Sequence, residues 1–357
     1  MITNSAPSII WLLITLRYRR GHEMAQAETE QLTRMILSAA LSRAISSVAE
    51  LGVADLIEAK TAQSAASLAS ATRTHERSLY RVLRFLASHG IFQETGNRQF
   101  EHTPLSLCLR SDAEGSFRAA AQMFHRMSSG WEGLHHAALT GEPGFNKMFG
   151  QPLFEYIGTH PELAPVFDAG MTAIHGHETA AMLDAYDFSG IQVLADIGGG
   201  NGSLISAVLQ RYPNLKGILF DLGHVIGRAR ENIQASGLSD RCSVIEGSFF
   251  ESVPSGADAY LFRHIIHDWT DDQCVQILSN CRNVIPNDGK LLIVEAVVPT
   301  GNEPSLAKDF DMTMLTFPGG IERTEEEYRS LFEQAGFQLS SITPTASAIS
   351  VVEGKPI

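Results

Sequence analysis

The chain has 357 residues and a formal charge of −13, from 27 Lys and Arg against 40 Asp and Glu; 44% of its residues are hydrophobic and 19% charged. That length suits two domains or one large one, and the composition is that of a globular enzyme, not a disordered chain. The acidic balance lacks the basic footprint that nucleic acid or an anionic membrane needs. Cys108, Cys242, Cys274 and Cys281, with no CxxC pair, make neither a disulfide framework nor a zinc knuckle. This cysteine usage points to a reducing, cytoplasmic compartment.

Residues 1–23 differ in texture from the rest. The apolar run Ile9–Leu16 is far shorter than the roughly 20 residues that span a bilayer. It also has no preceding positive charge and no cleavage site after Arg17, Arg19 and Arg20. The expected translation start is Met24, with 1–23 a non-native or disordered extension; the alternative is a short membrane-surface anchor.

From Leu32 to Thr103 the pattern is helical and then turns into a hairpin. Leu32, Ile36, Ala40, Ile45 and Val48 recur near helical spacing, a short helix follows Gly52, another contains Leu68, and Glu76–Ser88 forms the next. Gly90–Phe100 reads as two strands around a Gly-Asn turn. Helices followed by a two-stranded wing make the winged helix-turn-helix plan. Arg73, Arg77, Arg81 and Arg84 would share one face of the last helix, where they could meet a DNA groove. A solvated or subunit-facing arginine edge is the commoner arrangement on so acidic a protein.

Ala113–Tyr186 is helical and rich in large side chains, among them Met127, Trp131, Phe154 and Met171. These are candidates for the wall of an apolar pocket as well as for ordinary core. His135, His136, His175 and His177 lie here without Cys or carboxylates at ligand spacing, so no metal is expected.

After Gly190 strands and helices alternate, which implies a parallel sheet covered on both faces. Strand signals fall at Val193–Ile197, Gly217–Phe220, Cys242–Glu246, Ala259–Phe262 and Lys290–Val297, with a hairpin-like end at Gln338–Thr343 and Ala348–Val352. Helical runs fall at Ser203–Arg211, Val225–Ser236, Asp272–Val284 and Thr324–Ala335.

The first strand runs into Asp196-Ile-Gly-Gly-Gly-Asn-Gly202. Ser203 breaks the dinucleotide GxGxxG pattern, leaving acidic-x-GxGxG through Gly198, Gly200 and Gly202. Asp221 ends the next strand, where a carboxylate can accept the two hydroxyls of a ribose. His267, in Phe262-Arg-His-Ile-Ile-His-Asp-Trp269, stands at the carboxyl edge of the fourth strand, placed to act as a general base. Glu295 and Glu322 are the two carboxylates expected to reach and orient it.

From Asp196 to Thr324 these motifs resemble the S-adenosylmethionine-dependent O-methyltransferases of the caffeic-acid type and their bacterial natural-product relatives. They are Asp196–Gly202, Phe220-Asp-Leu222, Gly247-Ser-Phe-Phe250, Arg263–Trp269, Glu295 and Gly319–Thr324. The resemblance covers about residues 30–355. It implies an α/β, Rossmann-like class I methyltransferase domain with a mostly parallel seven-stranded sheet, preceded by an all-α, winged-helix dimerisation domain. The expected division is 24–110 for dimerisation, 111–187 for a helical linker and pocket region, and 188–357 for the cofactor-binding catalytic domain.

By resemblance, His267 is the base, flanked by Glu295 and Glu322. Asp196, Gly198, Gly200, Gly202, Asp221, Leu222, Ser248, Phe249 and Arg263 bind the cofactor, with Arg263 keeping a cation near the adenine in place of a lysine. Met314 and Asp268 join Met127, Trp131, Phe154 and Met171 around the acceptor. Ser248 replaces the usual Asp and Gly223 the usual Pro, both of which bear on cofactor affinity. The implied reaction moves a methyl group from S-adenosylmethionine to a phenolic hydroxyl of a small aromatic or polyketide-like metabolite. It leaves S-adenosylhomocysteine and uses no metal. The implied protein is a homodimer without nucleic-acid or membrane partners. Transfer to nitrogen or carbon stays open, as do a retired methyltransferase fold and a winged-helix ligand-binding regulator.

Overall fold

Seven strands of the second half form one sheet in the order β6-β5-β4-β7-β8-β10-β9. They are β4 (Val193–Ile197), β5 (Lys216–Asp221), β6 (Cys242–Glu246), β7 (Ala259–Arg263), β8 (Lys290–Ala296), β9 (Phe337–Pro344) and β10 (Ile349–Pro356). The computed structural model describes residues 26–58 and 61–357. The 1–23 extension and the expected start at Met24 therefore lie outside the described residues.

Strands β4 to β8 are parallel, and β10 runs antiparallel to both β8 and β9. Alternate residues of the parallel strands feed two separate cores. Leu194, Leu219, Leu261, Leu292 and Val294 pack with Leu204, Val208, Ile226 and Ile233. Ala195, Phe220, Tyr260, Phe262, Leu291 and Ile293 pack instead with Ile277, Leu278, Leu331 and Phe332. Both faces of the inner strands are thus covered, which is why β4, β7 and β8 read as nearly continuous apolar runs. The sheet reverses direction of growth between β4 and β7, and ligands of such sheets bind at the carboxyl ends flanking that switch point.

The chain divides into two compact units, Met1–His125 and Arg126–Ile357. The first contains the helices Ser38–Leu51, Ala65–Thr72 and Glu76–Ser88. It also has a three-stranded sheet of β1 (Gln63–Ser64), β3 (Gln99–His102) and β2 (Phe92–Gly96). Leu79, Leu83 and Leu86 are its buried helical stripe, packed on Val53, Leu68, Phe92 and Phe100. The hairpin turn falls one residue later than the Gly-Asn reading. Asn97 and Arg98 both have positive φ (48° and 57°), the geometry of a two-residue turn that matches strand twist. Arg73 does not belong to the arginine stripe, because it caps the preceding helix in a left-handed conformation. Arg84 and Arg98 lie over the Tyr80 ring. Among the described residues, no helix is long and apolar enough to cross a membrane.

Candidate active site

The loop leaving β7 carries the candidate base, and three other elements hold that loop. Ile266–Asp268 is a single 3-10 turn, followed by Thr270, which caps the helix Asp271–Arg282. From the neighbouring strand β8, Glu295 reaches under the turn. Its Oε1 accepts the backbone N–H groups of Ile265 (3.0 Å), Ile266 (2.7 Å) and His267 (3.1 Å), and its Oε2 accepts the Tyr328 hydroxyl (2.8 Å). The carbonyls on the other side of the turn go to Arg323, only 1% exposed. Its guanidinium donates to the oxygens of Ile266 and Trp269 (both 3.1 Å) and to Asp271. The buried N–H groups of Ile266 and His267 thus find a partner in place of water.

The Gly-Gly of Gly319–Thr324 explains how Glu322 arrives. A Cβ on Gly320 would overlap the carbonyl oxygen of His267, so only glycine lets the two backbones touch. The N–H of Ile321 then donates to that same oxygen at 2.7 Å. One residue on, Glu322 Oε1 lies 2.8 Å from His267 Nδ1. Nδ1–H therefore donates to a carboxylate, and Nε2 is the nitrogen left to take a proton, with Asp268 Oδ1 3.7 Å away. Burial opposes the imidazolium, but the charge of Asp268, the Glu322 hydrogen bond and the charge of Glu295 outweigh it and lift His267 to about 10. Burial likewise pushes Asp268 up to about 6.

Both carboxylates expected at the base are present, but Glu295 meets the loop backbone and not the imidazole. Tyr328 and Arg323, which complete this frame, were not singled out from the sequence, although Arg323 stands inside the quoted motif.

Across the switch point, the glycine loop follows β4. Gly198 N–H donates to Phe220 O (2.8 Å) and Gly200 N–H to Asp221 Oδ2 (2.8 Å), while Asp221 Oδ1 accepts Leu222 N–H (2.7 Å). A side chain at Gly198 would strike Ile265 and come near Phe249, whereas the space over Gly200 is open. Asp196 is buried beneath the loop, its Oδ2 has no hydrogen-bond partner, and burial raises it to about 7. The Phe249 backbone carbonyl accepts from Asn280, and the rings of Phe249 and Phe250 meet Trp269. At Gly223, where the family pattern has proline, a Cβ would fall on the Glu246 carboxylate.

Arg263 turns toward the helix Ala164–Ala185. Its Nη1 donates to Thr179 Oγ1 at 2.7 Å, and its nearest charges are Asp196 and Glu178. That helix also supplies what the sequence reading missed. His175 does have a carboxylate at ligand spacing, Glu178 one helical turn later. Glu178 Oε2 lies 2.7 Å from Nε2 of His264, a partner 86 residues away. The His175 and His264 rings stack at 4.2 Å, and His264 lies 5.1 Å from His267. An H-x-x-E spacing on one helix face was the available signal.

Of the expected pocket residues, Met127 packs with Phe145, Leu153 and Phe317. Trp131 meets Phe317 edge-on at 5.2 Å. Phe317 lies three residues before Gly320, so this aromatic cluster is tied by a short tether to the carbonyl of His267. Phe154 is half exposed and pairs with Phe167 instead. Met171 and Met314 are half-buried.

The chain matches two family models, an O-methyltransferase domain over residues 131–338 and an O-methyltransferase dimerisation domain over 33–112. It is 40% identical to a phenazine O-methyltransferase of Lysobacter antibioticus, across 91% of this chain and 96% of that one. Among solved structures, a methyltransferase of calicheamicin biosynthesis in its S-adenosylhomocysteine-bound form superposes with a TM-score of 0.82. It is 34% identical, covering 94% of this chain and 98% of its own. An O-methyltransferase of neocarzinostatin biosynthesis, in complex with S-adenosylmethionine and 2-hydroxy-5-methyl naphthoic acid, gives 0.76 at 33% identity over 89% and 96%. With its class I methyltransferase sheet and its helical N-terminal region, the chain belongs to the S-adenosylmethionine-dependent O-methyltransferases of natural-product biosynthesis.

Proposed function

We propose that the protein methylates a phenolic hydroxyl on a fused-ring aromatic metabolite, with His267 as general base. The observation that carries this reading is the 2.8 Å bond from His267 Nδ1 to Glu322, which leaves Nε2 as the proton acceptor at the switch-point crevice.

The residues present fit the cofactor. The unpartnered Asp196 Oδ2 beneath the loop and the open space over Gly200 offer a free acceptor and room for a ligand there. Asp221, held by two backbone N–H groups, is placed for the ribose, with Leu222, Ser248 and Phe249 on the adenine side. S-adenosylmethionine supplies, when bound, a methyl group already activated on a sulfonium, transferred in line with inversion at carbon.

The protein's own share of the reaction is alignment, deprotonation and exclusion of water. His267 Nε2 takes the acceptor's hydroxyl proton as the oxygen–carbon bond forms, and Glu322 stabilises the imidazolium and fixes its tautomer. Glu295, Tyr328 and Arg323 keep the turn from moving while the proton passes. Met127 and Trp131, backed by the buried Phe145 and Phe317, are the apolar wall for a flat acceptor. That class of acceptor is also supported by a relative named for a phenazine and by another solved in complex with a naphthoic acid. In this reading the enzyme works as a cytoplasmic homodimer through its dimerisation domain.

The test is incubation with S-adenosylmethionine and a panel of hydroxylated phenazines, naphthoates and monocyclic phenols, followed by mass spectrometry. O-methylated fused-ring products, lost in His267→Gln while cofactor binding persists, are the expected result. Exclusive methylation of amines or of carbon would overturn it.

A further inference from the structure

The group of His175, Glu178 and His264, a buried carboxylate with two half-buried imidazoles, does not enter the proton path described above. One ligating atom from each lies within 4.8 Å of the others, and these are two imidazoles and a carboxylate, the donor set of borderline divalent ions. Two further features set the group apart. His264 holds a left-handed backbone (φ 53°), disfavoured for a residue with a side chain, and that turn brings its ring onto His175 and Glu178. Its Nδ1 is buried with no hydrogen-bond partner. The strained backbone holds the Nε2 edge of that ring against Glu178, as a preformed pair of ligands would be held.

We propose that His175, Glu178 and His264 form a binding site for one divalent transition-metal ion of the zinc type. Two ligands come from one helix turn, at i and i+3, and the third from the loop after β7, so helix and loop are clamped together by the ion. Glu178 Oε2 and His264 Nε2 already lie 2.7 Å apart, so with metal–nitrogen bonds of about 2.0–2.1 Å the closing movement falls mainly to the His175 side chain, within its rotation. A fourth position is left for water, as in open three-ligand sites. The ion would sit beside His264, one ring away from His267. Its charge would oppose both the imidazolium and a bound sulfonium, so metal and cofactor are expected to weaken each other's binding. Only this antagonism rests on the function proposed above.

The test uses metal-stripped, cofactor-free protein, so its failure is separate from failure of the methyltransferase reading. Zinc is titrated in competition with a chromophoric chelator, and cobalt(II) is titrated with its visible absorption as a readout of nitrogen ligation. One ion per chain with a dissociation constant in the micromolar range or below is expected. His175→Ala, Glu178→Gln and His264→Ala should each weaken binding about 100-fold or more, and the exposed His135→Ala should leave it unchanged. Glu178→Gln is nearly isosteric and keeps the neighbouring hydrogen bond, which guards against a variant that merely misfolds. Binding that survives Glu178→Gln and His175→Ala, or absence of any stoichiometric site in the wild type, overturns the proposal.

Discussion

Glu295 and His267 meet through the backbone and not through the ring: Glu295 Oε1 accepts the His267 N–H at 3.1 Å, while the imidazole Nδ1 belongs to Glu322 at 2.8 Å. The two carboxylates therefore have separable effects. Glu295→Ala strands three backbone N–H groups and the Tyr328 hydroxyl, and each buried orphan costs about 1–3 kcal/mol. It should lower the melting temperature sharply or prevent folding. Glu322→Gln should lower the melting temperature less than Glu295→Ala, since it removes one partner of the imidazolium and not four hydrogen bonds. It should reduce kcat by about 10²-fold or more, because the imidazole loses its counter-charge and its fixed tautomer. Melting curves and single-turnover rates on both variants decide it. Equal effects of both on stability and rate would remove the distinction.

His267 should show its charge environment in pH profiles. The imidazole works as a base only when neutral, and Asp268, Glu322 and Glu295 overcome burial to hold it up to about 10 in the free protein. A sulfonium placed beside the imidazolium disfavours it by like-charge repulsion, whereas the neutral thioether of S-adenosylhomocysteine does not. The NMR titration of His267 should therefore fall by about one unit or more with S-adenosylmethionine relative to S-adenosylhomocysteine. The acceptor kcat/KM should rise tenfold per pH unit below that lowered value. Identical titrations with both ligands would contradict a sulfonium at this place.

The Asp196 contribution to stability should fall as pH rises, against the opposite trend of His175, which burial lowers to about 2. Asp196 is raised to about 7 in the fold against 3.8 as its ordinary value. Between those values the unfolded chain gives up a proton that the folded one keeps. A stabilising contribution present below pH 3.8 is thus lost on the way to about 7, a matter of a few kcal/mol. His267, raised from 6.5 to about 10, adds a second loss across that higher window. Asp196→Asn should flatten the first decline in cofactor-free protein and weaken S-adenosylmethionine binding, while His267→Gln should flatten only the second. Thermal melts at a series of pH values, paired with calorimetry, separate the two. An Asp196→Asn protein with an unchanged pH slope would rule this account out.

The elements of the second half were legible because each sheet face is covered. Val193–Ile197 appears as read because it is buried on both sides; the helix Ser203–Arg211 and the edge strand Cys242–Glu246, in which only Cys242 is buried, also appear as read. Helix ends moved by a residue or two where a cap decided them: Thr270 and Thr324 close capping boxes, so those helices begin at Asp271 and Glu325. The strand Gln63–Ser64, only two residues long, carries no periodicity to read. In the site, motif spacing placed Asp196, Asp221, His267 and Glu322 on one sheet edge. It was silent on which atoms meet, so Glu295 was read as a partner of the ring when β8 in fact passes beneath the turn. The Glu178–His264 contact joins a helix to a loop far along the chain, and only the packing of that helix reveals it.

Two glycines should respond oppositely to the same substitution. Gly320→Ala puts a methyl group into the carbonyl oxygen of His267, a backbone atom that cannot swing aside, and so moves Glu322 off Nδ1. The expected result is a loss of about 2 kcal/mol or more in stability together with nearly all activity, a combination that a surface effect would not produce. Gly176 lies inside the helix Ala164–Ala185 with open space around its Cβ position, without positive φ. There Gly176→Ala should add about 0.5–1 kcal/mol by restricting the unfolded chain, with turnover unchanged. Chemical denaturation and kcat on the two variants check both signs. A tolerated Gly320→Ala would show that the backbone contact between residues 320 and 267 does not hold Glu322 against the base.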